Sequence, residues 1–397
     1  MELKPLIAAD ASLEAHGFRA ARSLSDDVPG IAIECHENQI PAFAEATLER
    51  LYEHLFSSLT QVRVYGGLTD DVSTYVVRDS GSIVTLLLFR IAGDRVQVLN
   101  QGLKIGSADI QRFADYIFSV YPQCKLIDFH AVDIGKTTLT RPWQSFLCSE
   151  DIVVTLPATA EEYLASLGRN TRRNIRRYMD RLMRSFPSFR MEFHDGASVD
   201  EHAVRRIIEF NRARMAGKNK VSTLDDTEAE RILRIVRSCG MVGVATIDGE
   251  ICAGAIGYRV GGNFFLYVLA HDPKYDGYWI GILSCYLTMC ECIARGWKEL
   301  HFLWGRYEYK FTLGAVRRDL YHLTVYRSRA QQLLHPITAL RTAYTGISQH
   351  VRSVLLESAR QPDTPLSRLA FHAFNRLRML RRSTAALFSS SRQRSTD

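Results

Sequence analysis

The segment HDPKYDGYWIG, residues 271–281, contains residue types that can bind an anion. Gly277 and Gly281 would let the backbone approach a ligand closely, and Lys274 adds a positive charge. A helical pattern begins at Ile280, and a helix N-terminus presents free N–H groups and the positive end of its dipole. We therefore expect phosphate binding here. The alternative is a tight strand-to-helix turn whose glycines serve packing alone.

A second segment, GRYEYKFTLGA at residues 305–315, concentrates groups that can transfer protons or bind anions. Candidate catalytic residues are Tyr309, Lys310 and Glu308, and His271, Asp272 and His301 are further proton-transfer candidates. For each of them the alternative is a surface or packing role.

An arginine-rich segment lies upstream, at Arg169–Arg184, with seven arginines, one aspartate and no lysine. Ile175, Met179 and Leu182 follow helical spacing, so the arginines occupy the rest of an amphipathic helix. Arginine is favoured for bidentate contacts with phosphate and carboxylate, which indicates anion binding. The alternative is an ordinary solvated helix face. Arg214, in a later helix, is a further anion-binding candidate.

Periodicity and turn residues predict the elements that position these segments. In the first half, strands are predicted at Val62–Tyr65, Thr74–Arg78, Ile83–Ile91, Arg95–Leu99 and Leu126–Phe129, with a helix at Ser107–Tyr121. In the second half, helices are predicted at Thr159–Leu167, Thr171–Phe186, Val199–Ala216, Asp226–Ser238 and Ile280–Arg295, with a helical turn near Tyr307–Leu313. Strands there are predicted at Ile152–Leu156, Arg190–His194, Met241–Ile247, Ile251–Val260, Asn263–Ala270, Glu299–Phe302 and Tyr321–Tyr326. Asp248-Gly249 and Gly261-Gly262 predict two-residue hairpin turns.

This order of elements resembles the GNAT superfamily of acyltransferases, in which the loop before the long helix binds the pyrophosphate of acyl-CoA. The family loop usually reads Q/R-x-x-G-x-G/A, and this one does not. The resemblance implies cofactor contacts at Tyr267, Leu269 and Ala270 along the strand and at Lys274, Gly277, Ile280 and Gly281 in the loop and helix start. It implies acetyl-CoA or another acyl-CoA as co-substrate and no metal.

Two further segments resemble the CelD-type branch of GNAT proteins, which occurs among cellulose and exopolysaccharide functions. The matching positions are Thr171, Arg172, Asn174, Ile175 and Arg176, then Gly305, Tyr309, Lys310, Gly314 and Ala315. The first segment also resembles Fem-type transferases, which add amino acids to cell-wall precursors. Where the family often has an acidic residue near its glycine, this chain has Leu303 and Arg306.

The resemblance implies direct attack of an amine or hydroxyl on a thioester, with Tyr309 suited to protonate the departing thiolate. Lys310 would bind a substrate phosphate or carboxylate. We expect Arg172, Asn174, Arg176 and Arg214 on the substrate side.

The predicted fold class is α/β (α+β), with tandem GNAT-like, mostly antiparallel sheets flanked by helices and a basic helical tail. The predicted divisions are residues 1–150, 151–327 and 328–397.

The predicted function is acyl-CoA-dependent N- or O-acylation, with acetyl as the acyl group, of a sugar-linked or cell-envelope precursor. The expected acceptor is a small molecule or a lipid- or nucleotide-linked sugar. One alternative is a Fem-like transferase that uses aminoacyl-tRNA, and another is a non-catalytic regulator of polysaccharide synthesis that binds a ligand.

Charge is unevenly distributed along the 397 residues, whose net charge is +7. Residues 327–397 carry a balance of +9, which leaves −2 for residues 1–326. A near-neutral body argues against a specific nucleic-acid partner. The basic tail, with the stripe Leu366–Leu380, suits peripheral contact with an anionic membrane, or else packing on the body. The acidic N-terminal composition and unpatterned cysteines favour a cytoplasmic location, including the inner-membrane surface.

Overall fold

The computed structural model describes residues 24–25, 30–217 and 221–334, and all its strands belong to one sheet. The strands are β1 (Leu24–Ser25), β2 (Ile31–His36), β3 (Ser73–Asp79), β4 (Ser82–Ala92), β5 (Arg95–Val98), β6 (Leu126–Val132), β7 (Trp143–Thr155), β8 (Arg190–Asp195), β9 (Gly240–Ile247), β10 (Glu250–Val260), β11 (Asn263–His271), β12 (Glu299–His301) and β13 (Val316–Tyr326). Their spatial order is β1-β2-β3-β4-β5-β6-β13-β7-β12-β11-β10-β9-β8.

Helices cover both faces of this sheet. They are α1 (Ala44–Tyr52), α2 (Leu59–Val64), α3 (Ser107–Val120), α4 (Ala160–Ser166), α5 (Arg169–Ser185), α6 (Glu201–Ala216), α7 (Asp226–Cys239), α8 (Ile280–Ala294), α9 (Glu308–Thr312) and α10 (Arg329–Leu334). Short 3₁₀ turns lie at Leu55–Ser57, Gly196–Ser198 and Pro273–Tyr278. Among the described residues, no helix combines the length and apolar character needed to cross a membrane.

The predicted tandem, mostly antiparallel architecture is confirmed. Each half contains an antiparallel meander that leads to a parallel pair, β5 with β6 and β11 with β12. The halves join through the last strand, because β13 pairs with β6 on one side and with β7 on the other. The boundary predicted at residue 150 falls inside β7, so the sheet is continuous across it.

Strand alternation sends side chains of the second half into two cores. Phe264 and Leu266 of β11 contribute to a core with α5 and α8, whereas Phe265 and Val268 contribute to a core with α6 and α7 on the other face. Gly254 allows α6 to lie close to β10, since a Cβ there would come within 2.2 Å of Ile207 Cδ1.

Most predicted elements lie within a few residues of their observed positions, and one prediction is wrong. Val62–Tyr65 was predicted as a strand, but residues 59–64 form α2. Ser58 caps that helix by accepting a hydrogen bond from the Gln61 N–H. The predicted tail, including the stripe Leu366–Leu380, lies outside the described residues.

Candidate active site

A cleft opens where β11 and β12 separate. The strands pair in parallel over three residues only, Asn263–Phe265 with Glu299–His301. Beyond His301 the chain stays with β7, because the Phe302 N–H donates to Ile152 O at 2.7 Å. A bulge between β10 and β11 interrupts the register at Tyr267. We call the space between residues 266–271 and residues 302–306 the cleft.

The wall of the cleft after β12 has unusual backbone geometry. Leu303 has a φ of 57° and Gly305 a φ of 95°, both in the left-handed region. Left-handed backbone at a non-glycine residue such as Leu303 is stabilised only when the surroundings hold it. Lys310 of α9 supplies such support: its ammonium donates to Phe302 O at 2.9 Å and to Trp304 O at 2.8 Å.

Lys310 is therefore buried and bonded to the chain itself. Its side chain is almost fully covered, and burial lowers its pKa to about 8 although Glu150 and Asp151 act in the opposite direction. Glu308, two residues earlier, is exposed to solvent. The neighbouring Arg306 makes an ion pair with Glu150 at 2.5 Å.

Tyr309 lies between the two helix layers. Burial raises the pKa of its hydroxyl, Cys285 of α8 acts in the same direction, and Arg214 of α6 lowers it. Its ring meets Phe302 edge-on, with centroids 5.9 Å apart. Within the described part of the chain, the buried Nε of Arg214 has no hydrogen-bond partner. Arg214 lies near enough to Tyr309 for its charge to act on the Tyr309 hydroxyl.

The predicted phosphate loop lies at the carboxyl end of β11. His271 packs against Gly281, where a Cβ would come within 2.7 Å of the imidazole Nδ1. His271 Nε2 also hydrogen-bonds Asp276 Oδ1 at 2.7 Å. By contrast, a Cβ on Gly277 would meet nothing within 4 Å.

The remaining predicted cofactor residues differ in their access to a ligand. Tyr267 and Leu269 are half-buried along β11, and Ala270 and Ile280 are fully buried. Lys274 is exposed and makes an ion pair with Asp272 at 3.4 Å.

The arginine-rich helix α5 lies beside this loop, next to α8. Tyr178 of α5 packs on Trp279, with centroids 5.1 Å apart, and the Arg181 guanidinium lies 4.9 Å from the Tyr278 ring centroid. Arg172 donates to Ala165 O at 3.0 Å, Asn174 is half-buried, and Arg176 is exposed. The predicted substrate group is therefore divided: Arg172, Asn174 and Arg176 lie on the loop side of the sheet, and Arg214 lies with α6 on the other.

Two residues that the sequence analysis did not name, Tyr65 and Glu228, form a group with the predicted cofactor residue Tyr267. Tyr65 of the first half and Tyr267 of β11 both donate hydrogen bonds to Glu228 of α7, the second at 2.6 Å, and their hydroxyls are 3.1 Å apart. Arg231 pairs with the same carboxylate at 3.4 Å. Because these residues are far apart in the chain, no local motif indicated them.

A buried charge cluster joins the halves directly behind the cleft; of its members His301 was predicted as a proton-transfer candidate, and His54 and Asp151 were not predicted. His301 Nδ1 lies 2.6 Å from Asp151 Oδ2, and His54 Nε2 lies 3.5 Å from the same oxygen. Burial raises the pKa of Asp151, but the hydrogen bond with His301 and the nearby His54 outweigh it and hold that pKa well below its usual range.

On its other side, His301 faces Glu299, which Arg318 binds with both guanidinium nitrogens. Ligand-type atoms of His54, Asp151 and His301 lie within 4.8 Å of one another. The 2.6 Å contact is a hydrogen-bond distance, and two ligands about 2 Å from a metal ion would be farther apart. The geometry is therefore that of a hydrogen-bonded ion pair.

Comparison with known proteins agrees with this geometry. Residues 169–311 match the family described as Acetyltransferase (GNAT) domain. No curated protein matches the chain.

Three solved structures share parts of the fold. FemX has a TM-score of 0.54 at 9% identity, over 75% of this chain and 98% of that chain. L-PGS from Bacillus licheniformis has a TM-score of 0.44 at 15% identity, over 77% of this chain and 97% of that chain. A tandem GNAT protein from the clavulanic acid biosynthesis pathway has a TM-score of 0.36 at 11% identity, over 73% of this chain and 98% of that chain. The similarity to FemX concerns the fold alone.

Residues 169–311 therefore match a GNAT-type acetyltransferase domain, and the fold is tandem and GNAT-like. This match supports classifying the protein as an acyltransferase.

Proposed function

We propose that this protein transfers an acyl group from a pantetheine thioester, with acetyl-CoA as the simplest donor, to an amine or hydroxyl. The observation that carries the proposal is the cleft between β11 and β12, whose wall after β12 is held by Lys310, the residue next to Tyr309. A pantetheine arm is extended and can hydrogen-bond along the free edge of β11 beyond Phe265.

The proposed reaction is a direct displacement. The acceptor nitrogen or oxygen bonds to the acyl carbon, the C–S bond breaks, and Tyr309 gives its proton to the departing thiolate. Arg214 would stabilise the phenolate left behind. Glu228, which already accepts hydrogen bonds from Tyr65 and Tyr267, would take the proton that the acceptor loses. Glu228 then releases its proton to solvent, and solvent returns a proton to Tyr309.

Lys310 has a positioning role in this scheme. Its ammonium holds the carbonyls of Phe302 and Trp304, which fixes the wall of the cleft around Leu303. We infer that this role takes precedence over direct binding of substrate, because two of its three N–H groups are bound to the chain itself.

The acceptor that we propose is a sugar-linked or cell-envelope precursor. The segments T-R-x-N-I-R at 171–176 and G-x-x-x-Y-K-x-x-x-G-A at 305–315 support it through their resemblance to CelD-type proteins. A Fem-like transfer from aminoacyl-tRNA is the second candidate. The two differ in donor, so donor binding separates them.

Binding of acetyl-CoA to the full chain tests the proposal. We expect acetyl-CoA to raise Tm by mass action. Gly277→Glu should abolish the shift by placing a carboxylate at the phosphate site, where the structure leaves open space. Gly277→Gln is the matched control and should retain most of it. Gly281 is less suitable, since any side chain there meets His271.

Two results would contradict the proposal. A shift that survives Gly277→Glu would place the cofactor elsewhere. If neither acetyl-CoA nor longer acyl-CoAs shift Tm while aminoacyl-tRNA does, the Fem-like function replaces it.

A further inference from the structure

The exposed face of α5 carries an unbalanced positive charge. Of its seven arginines, six are exposed: Arg169, Arg173, Arg176, Arg177, Arg181 and Arg184. Among the described residues, none of the seven makes an ion pair with a carboxylate. We call these six side chains the arginine face.

This arrangement is unfavourable for the isolated helix. Arg169, Arg173 and Arg177 follow one another at spacings of four, and like charges so spaced repel. The helix start has no acidic residue and no side-chain cap, although positive charge is disfavoured there.

Helix α6 of the same chain is built in the opposite way. Its arginines Arg205, Arg206 and Arg212 pair with Glu201, Glu209 and Asp226. The unpaired charge on α5 is thus a property of that helix and not of the chain's surface in general.

The arginine face also lies beside the entrance to the donor site. Tyr178 and Arg181 of α5 contact Trp279 and Tyr278, which directly precede α8. The loop itself has the opposite sign, because Asp276 is exposed and Lys274 is already paired with Asp272. The strong positive charge near the loop therefore lies alongside it, on α5.

We infer that the arginine face docks an acidic acyl carrier protein, which presents its phosphopantetheine-linked acyl group to the cleft. Helix α5 has 17 residues and spans about 25 Å, a length that suits one helix of a small acidic protein. A long RNA would use a wider basic surface, and the rest of the body is near neutral.

This inference rests on the proposed function and names the physiological donor. The chemistry is unchanged: the acceptor nitrogen or oxygen bonds to the acyl carbon and the acyl C–S bond breaks. The carrier's arm leaves as a thiol, and its proton balances the one lost by the acceptor.

The test compares binding of an acidic acyl carrier protein, acetylated on its phosphopantetheine arm, to three forms of the full chain. We expect the wild type to bind, more weakly at 200 mM than at 50 mM salt. Arg173→Gln/Arg177→Gln/Arg181→Gln should raise Kd at least tenfold. The control Arg206→Gln/Arg234→Gln removes exposed arginines from the opposite face of the sheet and should change Kd less than twofold.

Each alternative outcome overturns the inference in a distinguishable way. If the wild type binds acetyl-CoA but not the carrier protein, the acyltransferase proposal stands and the docking surface is wrong. If the triple variant binds the carrier protein as well as the wild type does, the arginine face is not its site. If the triple variant loses binding to tRNA or anionic vesicles, and no form binds the carrier protein, the face serves that other partner.

Discussion

A substitution at Tyr309 can distinguish an effect on the chemical step from an effect on donor binding. Tyr309→Phe removes only the hydroxyl. We expect turnover to fall about 10²–10⁴-fold, the range of general acid catalysis, with little change in the Kd of acetyl-CoA. The matched control is Tyr307→Phe, because Tyr307 stacks on Tyr309 and is exposed. Equal turnover in wild type and Tyr309→Phe would exclude Tyr309 as the acid.

Lys310 should contribute to stability in a way that depends on pH. Lys310→Met leaves the buried carbonyl of Phe302 without its donor, so we expect the free energy of unfolding at pH 7 to fall by about 1–3 kcal/mol. The pKa of Lys310 is about 8 in the folded protein and 10.5 in its ordinary state. Between pH 8 and pH 10.5 the unfolded chain therefore binds more protons at Lys310 than the folded protein does. The difference between wild type and variant should therefore grow as the pH rises from 8 to 10.5.

Denaturant titrations at several pH values measure the Lys310 effect. Lys274→Met is the control, because Lys274 is exposed and its loss should change stability little. A Lys310→Met protein as stable as the wild type would show that its two hydrogen bonds contribute nothing net.

Sequence reasoning at this scale identified residues whose partners are local. Tyr309 and Lys310 stand in one short segment, and the structure puts both at the cleft wall. Glu228 and Tyr65 were not identified, because their hydrogen bonds join residues 163 positions apart. Such a pairing becomes visible only once the sheet has brought the two halves together.

At the scale of elements, the contact of α6 with β10 depends on Gly254. Gly254→Ala would place a methyl group 2.2 Å from Ile207 Cδ1 and 2.9 Å from the backbone oxygen of Gly243. We expect overpacking to lower the free energy of unfolding by about 1–3 kcal/mol, measured by chemical denaturation. Gly277→Ala is the control, since its methyl group meets nothing. If both variants are equally stable, α6 does not lie as close to the sheet as the structure indicates.

Helices and strands were predicted correctly where the residues of a short turn determine how they connect. Asp248-Gly249 and Gly261-Gly262 were predicted as hairpin turns, and the strands on either side pair as expected. Residues 62–65 were predicted as a strand because Val62, Val64 and Tyr65 are typical strand residues. They form part of a helix because Ser58 caps it and Val62 packs into the core.

At the scale of the whole molecule, Glu299 belongs to the cluster that holds the halves together. The adjacent His301, together with Arg318, lowers its pKa from 4.5 to about 2. Its stabilising contribution is present above pH 4.5 and lost as the pH falls towards 2. Glu299→Gln should therefore be less stable than wild type at pH 7, with the difference shrinking below pH 4.5.

The control for this prediction is Glu308→Gln, which changes an exposed carboxylate and should match the wild type at every pH. Thermal unfolding between pH 2 and 7 measures both variants. A Glu299→Gln difference that stays constant over this range would mean that the carboxylate's charge is not the stabilising feature.

The overall architecture was predictable because each half repeats a meander, a helix and a strand. The position of β13 within the sheet was not predictable. Its apolar pattern predicted a strand over Tyr321–Tyr326 but could not show that β13 lies between β6 and β7. The partner of a strand depends on contacts between distant segments, about which the strand's own periodicity carries no information.

The place of β13 has a consequence for the order in which the protein folds during synthesis. Strand β6 ends at Val132, and its neighbour β13 starts only at Val316, with 183 residues between them. At about 5–20 residues per second, a ribosome needs about 10–40 s to make that stretch. For that time the first half has an open strand edge at Leu126–Val132, which suits transient binding by a chaperone.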